Sequence, residues 1–100
     1  NTAGDVFAAH ARVFDAHGLS GHRLNACGYS LGAKFTPSWM DWPMFYEANP
    51  WVLGPGMVMF AHMILMDSAS ETAMCLGRTY LVMPKGAEAL NLPALDLVIR

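Results

Sequence analysis

Met57-Val58-Met59-Phe60-Ala61-His62-Met63-Ile64-Leu65-Met66 is apolar at odd and even positions alike, and His62 is its only polar side chain. The run starts just after Gly54-Pro55-Gly56 and stops at Asp67-Ser68. A short segment without strict alternation, bounded by turn residues, reads as an interior strand buried on both faces. A neutral imidazole there must find hydrogen-bond partners, and a charged one needs a counter-charge. His62 is therefore either satisfied quietly by the fold or placed there for chemistry, and the run by itself leaves both readings open.

Working outward, Asp67-Ser68-Ala69-Ser70-Glu71 is a polar turn, and residues 72–83 form a second strand rich in Thr, Tyr, Leu and Val. The expectation is a β-hairpin of 57–66 with 72–83. Gly77 interrupts the second strand, which predicts a bulge or a close backbone approach. Pro84-Lys85-Gly86 ends it, and residues 87–100 pack as a tail in which Leu92-Pro93 prevents one continuous helix. On the other side, residues 35–51 carry Phe35, Trp39, Trp42, Phe45, Tyr46 and Trp51 among Pro37, Pro43 and Pro50. This predicts an irregular aromatic loop, either a pocket wall, an interface or a cover over the core. Residues 26–32 read as a short strand bracketed by Gly28 and Gly32, preceded by a loop from Leu19 to Asn25. At the start, Thr2 caps an amphipathic helix over 3–17 with Asp5 in its first turn, and Gly18 stops it. His10 and His17 lie on or beside the apolar stripe and are expected to pack.

One hundred residues make one domain with room for a core. With 54% hydrophobic and 14% charged residues, the chain is too apolar to stand alone comfortably, so more protein should cover part of it. Asn1 in place of an initiator Met, and a first residue next to a helix cap, fit a fragment of a longer chain. A net charge of −2 with scattered signs argues against a nucleic-acid surface. The apolar stretch from Trp51 to Met66 is interrupted and too short to cross a bilayer easily. Cys27 and Cys75 lack CxxC spacing, so reduced thiols in a cytoplasmic protein are expected.

No phosphate loop, nucleophile elbow, HExxH or zinc-binding cysteine set occurs. The candidates for chemistry are the four histidines, Asp41 between Trp39 and Trp42, Asp67 and Glu71 at the turn, and Glu47. A carboxylate flanked by indoles can have a raised pKa or hold a cation, or it can cap a turn before Pro43. His22, beside Arg23 at the entry to the glycine-bracketed strand, is either aimed into a cleft or a surface residue.

In order along the chain stand a helix ending at Gly18, Gly28-Tyr29-Ser30-Leu31-Gly32, Pro37-Ser38-Trp39, Leu53-Gly54-Pro55-Gly56-Met57-Val58, the hairpin, and Leu81-Val82 before a glycine turn. This ordered set resembles the C-terminal half of the creatinase/aminopeptidase P family. The resemblance implies an α+β fold, the second of two pseudo-equivalent halves of a pita-bread domain, with residues 1–100 as the C-terminal part of that domain. Its peptidases hold two metals, with a histidine and two glutamates from this half. Carried over position by position, the histidine falls on Asn25, three residues before Gly28, with His22 a further three upstream. The first glutamate falls on His62, the sixth residue after Gly56, and the second on Gly77, two before Thr79. Asn is a poor ligand for a catalytic transition metal and Gly offers no side chain.

The Gly-Tyr-Ser-Leu-Gly segment is similar to the creatinase and ectoine hydrolase branch, which works without metal. The implied function is a metal-independent hydrolase of a C–N bond in a small polar, zwitterionic or cationic substrate. His62 or His22 would act as general acid/base, Asn25 would hydrogen-bond the substrate, and Trp39, Asp41 and Trp42 would wall the pocket. No cofactor is expected. Two alternatives stay open: an Xaa-Pro aminopeptidase-type enzyme in which His22 and His62 hold manganese, zinc or cobalt, and a non-catalytic binding module. A homodimer of the full-length protein is expected, with no nucleic-acid or membrane partner.

Overall fold

The structure is a computed structural model and describes residues 1–32, 34, 35, 37–91, 94–96 and 99. One helix, α1 (Ala3–Ala16), precedes β1 (Ala26–Ser30), β2 (Asp41–Tyr46), β3 (Val58–Asp67), β4 (Thr72–Met83) and β5 (Gly86–Ala89). The strands form one antiparallel sheet in the order β2-β1-β3-β4-β5. The fold is α+β, as expected, and the apolar run is its central strand.

Helix α1 begins in a capping box. The Asp5 N–H donates to Thr2 Oγ1 at 3.1 Å, and the Thr2 N–H donates to Asp5 Oδ2 at 2.7 Å. It ends in a Schellman arrangement around Gly18, whose φ is 72°, with Gly18 N–H to Asp15 C=O and Leu19 N–H to Phe14 C=O. His10 is buried beside Phe7 and Phe14, as expected. His17, expected to pack, is instead exposed at the helix end, where its Nδ1 donates to the Val13 carbonyl at 2.8 Å. A last-turn side chain that reaches a free carbonyl gains more there than by folding back onto the stripe.

The helix lies across β1 and β2. Ala3, Phe7, Cys27, Phe45 and Met59 form the buried core, with Val6, Leu53, Met63 and Val82 packed against it. The same face continues past the helix, over β3 and β4, as an apolar trough of about 260 Å³ lined by Met59, Ala61, Met63, Tyr80 and Val82, among others. This corrects the expectation of a strand buried on both faces. Only Met59 of β3 is buried, and its other residues are half-exposed or, at Met66, exposed. The run is apolar throughout because the strand is central, with a covered side that extends beyond α1.

Two further expectations change. Part of the aromatic loop is strand β2, an edge strand in which Pro43 is tolerated because one side of its backbone needs no ladder partner. Part of the tail is β5, paired with β4 from Tyr80–Ala89 to Met83–Gly86. The Leu92-Pro93 break lies outside the described residues. Gly77 is no bulge either, since the β3/β4 register runs unbroken from Val58–Leu81 to Asp67–Thr72. No helix among the described residues is long and apolar enough to cross a membrane.

Candidate functional site

Residues opposed in an antiparallel pair point to one face. Met59 points to the helix, so Phe60, His62 and Ile64 point away, onto the face without it. Opposite them on β4 stand Thr79, Gly77 and Cys75, and beside Phe60 on β1 stands Tyr29. The open face thus gathers two aromatic rings beside one imidazole. Tyr29 and Phe60 meet edge-on at 5.5 Å between centroids, Phe60 lies 5.0 Å from His62, and Tyr29 lies 6.1 Å from it. The Nε2 atom of His62 is 2.8 Å from Cys75 Sγ. A thiol S–H donating to Nε2 satisfies the imidazole, with its tautomer following from that bond.

Gly77 faces His62 directly across the ladder. A Cβ at this position would sit 2.6 Å from Phe60 Cζ and 2.9 Å from Phe60 Cε2. The close approach predicted for this glycine is therefore that of an aromatic side chain, and Phe60 occupies the space a side chain at 77 would need. Gly28 serves the next strand in a similar way. At φ 154° its missing Cβ lets the Phe60 carbonyl and the Phe45 ring come close.

His22 sits in the loop before β1, where its Nδ1 donates to the Met66 carbonyl at 2.9 Å and lies 3.9 Å from Asp67 Oδ1. Arg23 ties that loop to α1 through a bidentate pair with Asp15 at 2.8 and 3.2 Å, its guanidinium 5.6 Å from the Phe7 ring centroid. Met66 is four residues beyond His62 on β3, so the carbonyl that His22 bonds lies about 13 Å along the strand from the His62 backbone, at roughly 3.3 Å per residue. Asn25 is exposed immediately before β1. Asp67 staples the hairpin loop, accepting from the Ala69 N–H at 3.0 Å and Ser70 Oγ at 2.7 Å. The Ser70 hydroxyl and these backbone donors hold its carboxyl below the usual range.

Trp39, Asp41 and Trp42 stand at the far edge of the sheet, with Trp39 68% and Trp42 53% exposed. Asp41 pairs with Ser30 at the end of β2, two strands from β3. Its carboxylate accepts from the Trp42 N–H at 2.8 Å and from Lys34 Nζ at 3.5 Å. Those contacts, the backbone bond first, lower its pKa. The raised value considered from its indole neighbours is thus corrected: the hydrogen bonds and Lys34 outweigh the desolvation that pushes it up. Among the described residues no group of three or more His, Cys, Asp and Glu is arranged to hold a metal ion.

The sequence alone does not single out Cys75 and Tyr29 as site residues. Their signal was parity: in a hairpin, residues on His62's face follow from the register, which turn composition alone leaves open by one residue.

No protein-family model and no curated protein matches the sequence. Among solved structures, dipeptidase PepE from Mycobacterium ulcerans superposes with a TM-score of 0.85 at 21% identity, over 96% of this chain and 24% of that one. Prolidase from Pyrococcus horikoshii OT3 superposes with a TM-score of 0.85 at 18% identity, over 97% of this chain and 26% of its own. The chain thus spans about a quarter of each neighbour's length. At these identities the likeness is one of fold: the helix and five-stranded sheet match half of a pita-bread domain.

Proposed function

We propose that this chain is the second half of a pita-bread catalytic domain, of the creatinase-like branch, and belongs to a hydrolase that cleaves a C–N bond in a small polar substrate without a metal. The observation that carries this reading is the pairing of His62 with Gly77 beneath the Phe60 ring. The family resemblance puts metal-holding carboxylates at both positions. Here one is an imidazole, the other has no side chain, and an aromatic ring fills the space between. A dinuclear centre needs several oxygen or nitrogen donors converging on it, so this donor set does not fit one.

In this reading His62 is the general acid/base, moving a proton at Nε2. Tyr29 and Phe60 fix the ring plane, which keeps Nε2 aimed along the open face. Asn25 hydrogen-bonds the substrate, and Trp39 and Trp42 form the outer wall; Asp41, in register with Ser30 and Met59, lies on the helix side of the sheet and is no part of that wall. His22 is a second proton carrier at the far end of β3. By the same resemblance the whole protein is a cytoplasmic homodimer with no cofactor.

A second reading, metal-dependent cleavage of peptides, is favoured by the neighbours, a dipeptidase and a prolidase by name. It would require His22 and His62 to hold the metal, and their separation along β3 counts against a shared ion. The test is turnover by the full-length protein on a panel of small amides and dipeptides after exhaustive chelation. Persistent activity that falls in His62→Ala supports the metal-independent hydrolase. Activity lost on chelation and restored by manganese overturns it in favour of the peptidase, and no turnover on any substrate leaves the binding module standing.

A further inference from the structure

The two cysteines occupy opposite environments. Cys27 is buried in the helix-side core, where desolvation pushes its thiol up to about 12. Cys75 is exposed on the other face, with its Sγ 2.8 Å from His62 Nε2. The residue directly opposite Cys75 is Ile64, not His62. The contact is therefore a diagonal one, in which both side chains lean toward each other across the ladder. Two rings brace the imidazole, and Gly77 on the same face of β4 adds no side chain beside the thiol. A thiol within reach of an oriented imidazole, open to solvent and walled on one side by apolar rings, is the arrangement that nucleophilic catalysis uses.

We infer that Cys75 and His62 form a nucleophile–base pair that accepts the acyl group of a small amide or activated ester. The Cys75 proton passes to His62 Nε2 as Sγ bonds to the carbonyl carbon. The C–N bond then breaks, and the leaving nitrogen takes the proton from Nε2. Water next attacks the thioester carbon and gives a proton to Nε2; the C–S bond breaks and the thiolate takes that proton back. No oxidant or further reactant is needed. The inference deepens the hydrolase reading at the same site and rests on it only for turnover of amides.

Two probes test it on the full-length protein. Iodoacetamide at neutral pH, followed by peptide mass spectrometry, should alkylate Cys75 well before Cys27. The Cys75 rate should fall at least ~10-fold in His62→Ala and in His62→Gln, a modest share of the roughly 10²–10⁴ that a positioned base contributes. With p-nitrophenyl acetate, a burst of nitrophenolate should leave acetyl on Cys75 and vanish in Cys75→Ser. Circular dichroism of each variant separates loss of the base from loss of the fold, and the His62→Gln result stands if His62→Ala unfolds. An unchanged alkylation rate in folded His62→Gln, or acetyl on another residue, overturns the pair. Chelator-resistant amide turnover that survives in Cys75→Ala also overturns it while leaving the hydrolase reading intact. Acetylation of Cys75 that depends on His62, without amide turnover, upholds the pair and removes the hydrolase reading instead.

Discussion

The two faces of the sheet are made by the same strands and differ in what covers them. On one, α1 brings Ala3 and Phe7 onto Cys27, Phe45 and Met59, and every one of these is buried. On the other, Tyr29, Phe60, His62 and Cys75 meet through ring contacts and one short thiol–imidazole bond, and of them only Tyr29 is buried. The covered face is held by area removed from water, roughly 1.5–3 kcal/mol for each large side chain fully buried. The open face is held by directional contacts that orient groups and contribute less to stability. A site that must meet a substrate belongs on the second kind of surface, because the groups that do chemistry stay reachable while the strands beneath them are fixed from behind.

The largest effect should come from breaking the covered face. Phe7→Ala should lower unfolding free energy in urea by about 3–5 kcal/mol, the range for a buried aromatic truncated to alanine. Phe60→Ala on the open face should cost clearly less, and equal losses would mean the two faces are packed alike. A smaller effect is expected where the open face is tightest. Gly77→Ala forces the Phe60 ring to shift and should cost about 1–3 kcal/mol as overpacking. That penalty should shrink when Phe60→Ala is combined with it, and a double-mutant cycle with zero coupling would show that the ring yields freely.

The smallest effect is a pH dependence belonging to the covered face. Burial among Phe7 and Phe14, with Arg23 adding to it and Asp15 opposing, lowers the pKa of His10 below its ordinary 6.5. The unfolded chain therefore binds the proton first as pH falls. Stability is full above about 6.5 and declines below it until the lowered folded value is passed. Urea midpoints should show this decline, and His10→Leu should flatten it. An unchanged slope in that variant would place the titration elsewhere.

Much of the fold was legible along the chain. Thr2 with Asp5, and Gly18, mark both ends of α1 because capping is local chemistry. The hairpin could be seen in two apolar runs around a polar turn. Strands β2 and β5 were not visible, since a six-residue strand with a proline and a four-residue strand containing Gly86 owe their form to neighbours already in place. The site was legible only in part. His62 stood out as the polar residue in an apolar run. Cys75 did not, because nothing within its own strand marks it, and a one-residue slip in pairing would have sent it to the other face.

Caps, apolar patterning and the order of turns determined by themselves an amphipathic helix, a hairpin and an interior apolar strand carrying one histidine, and the family resemblance added the α+β fold. Those features act over a few residues, and local sterics and hydrogen bonds suffice to express them. Which face lost its cover, that Phe60 lies over Gly77, and that His62 meets Cys75 were decided by the tertiary structure. These depend on the register of strands and the placing of one helix, where residues distant in sequence are selected by packing rather than by their neighbours in the chain.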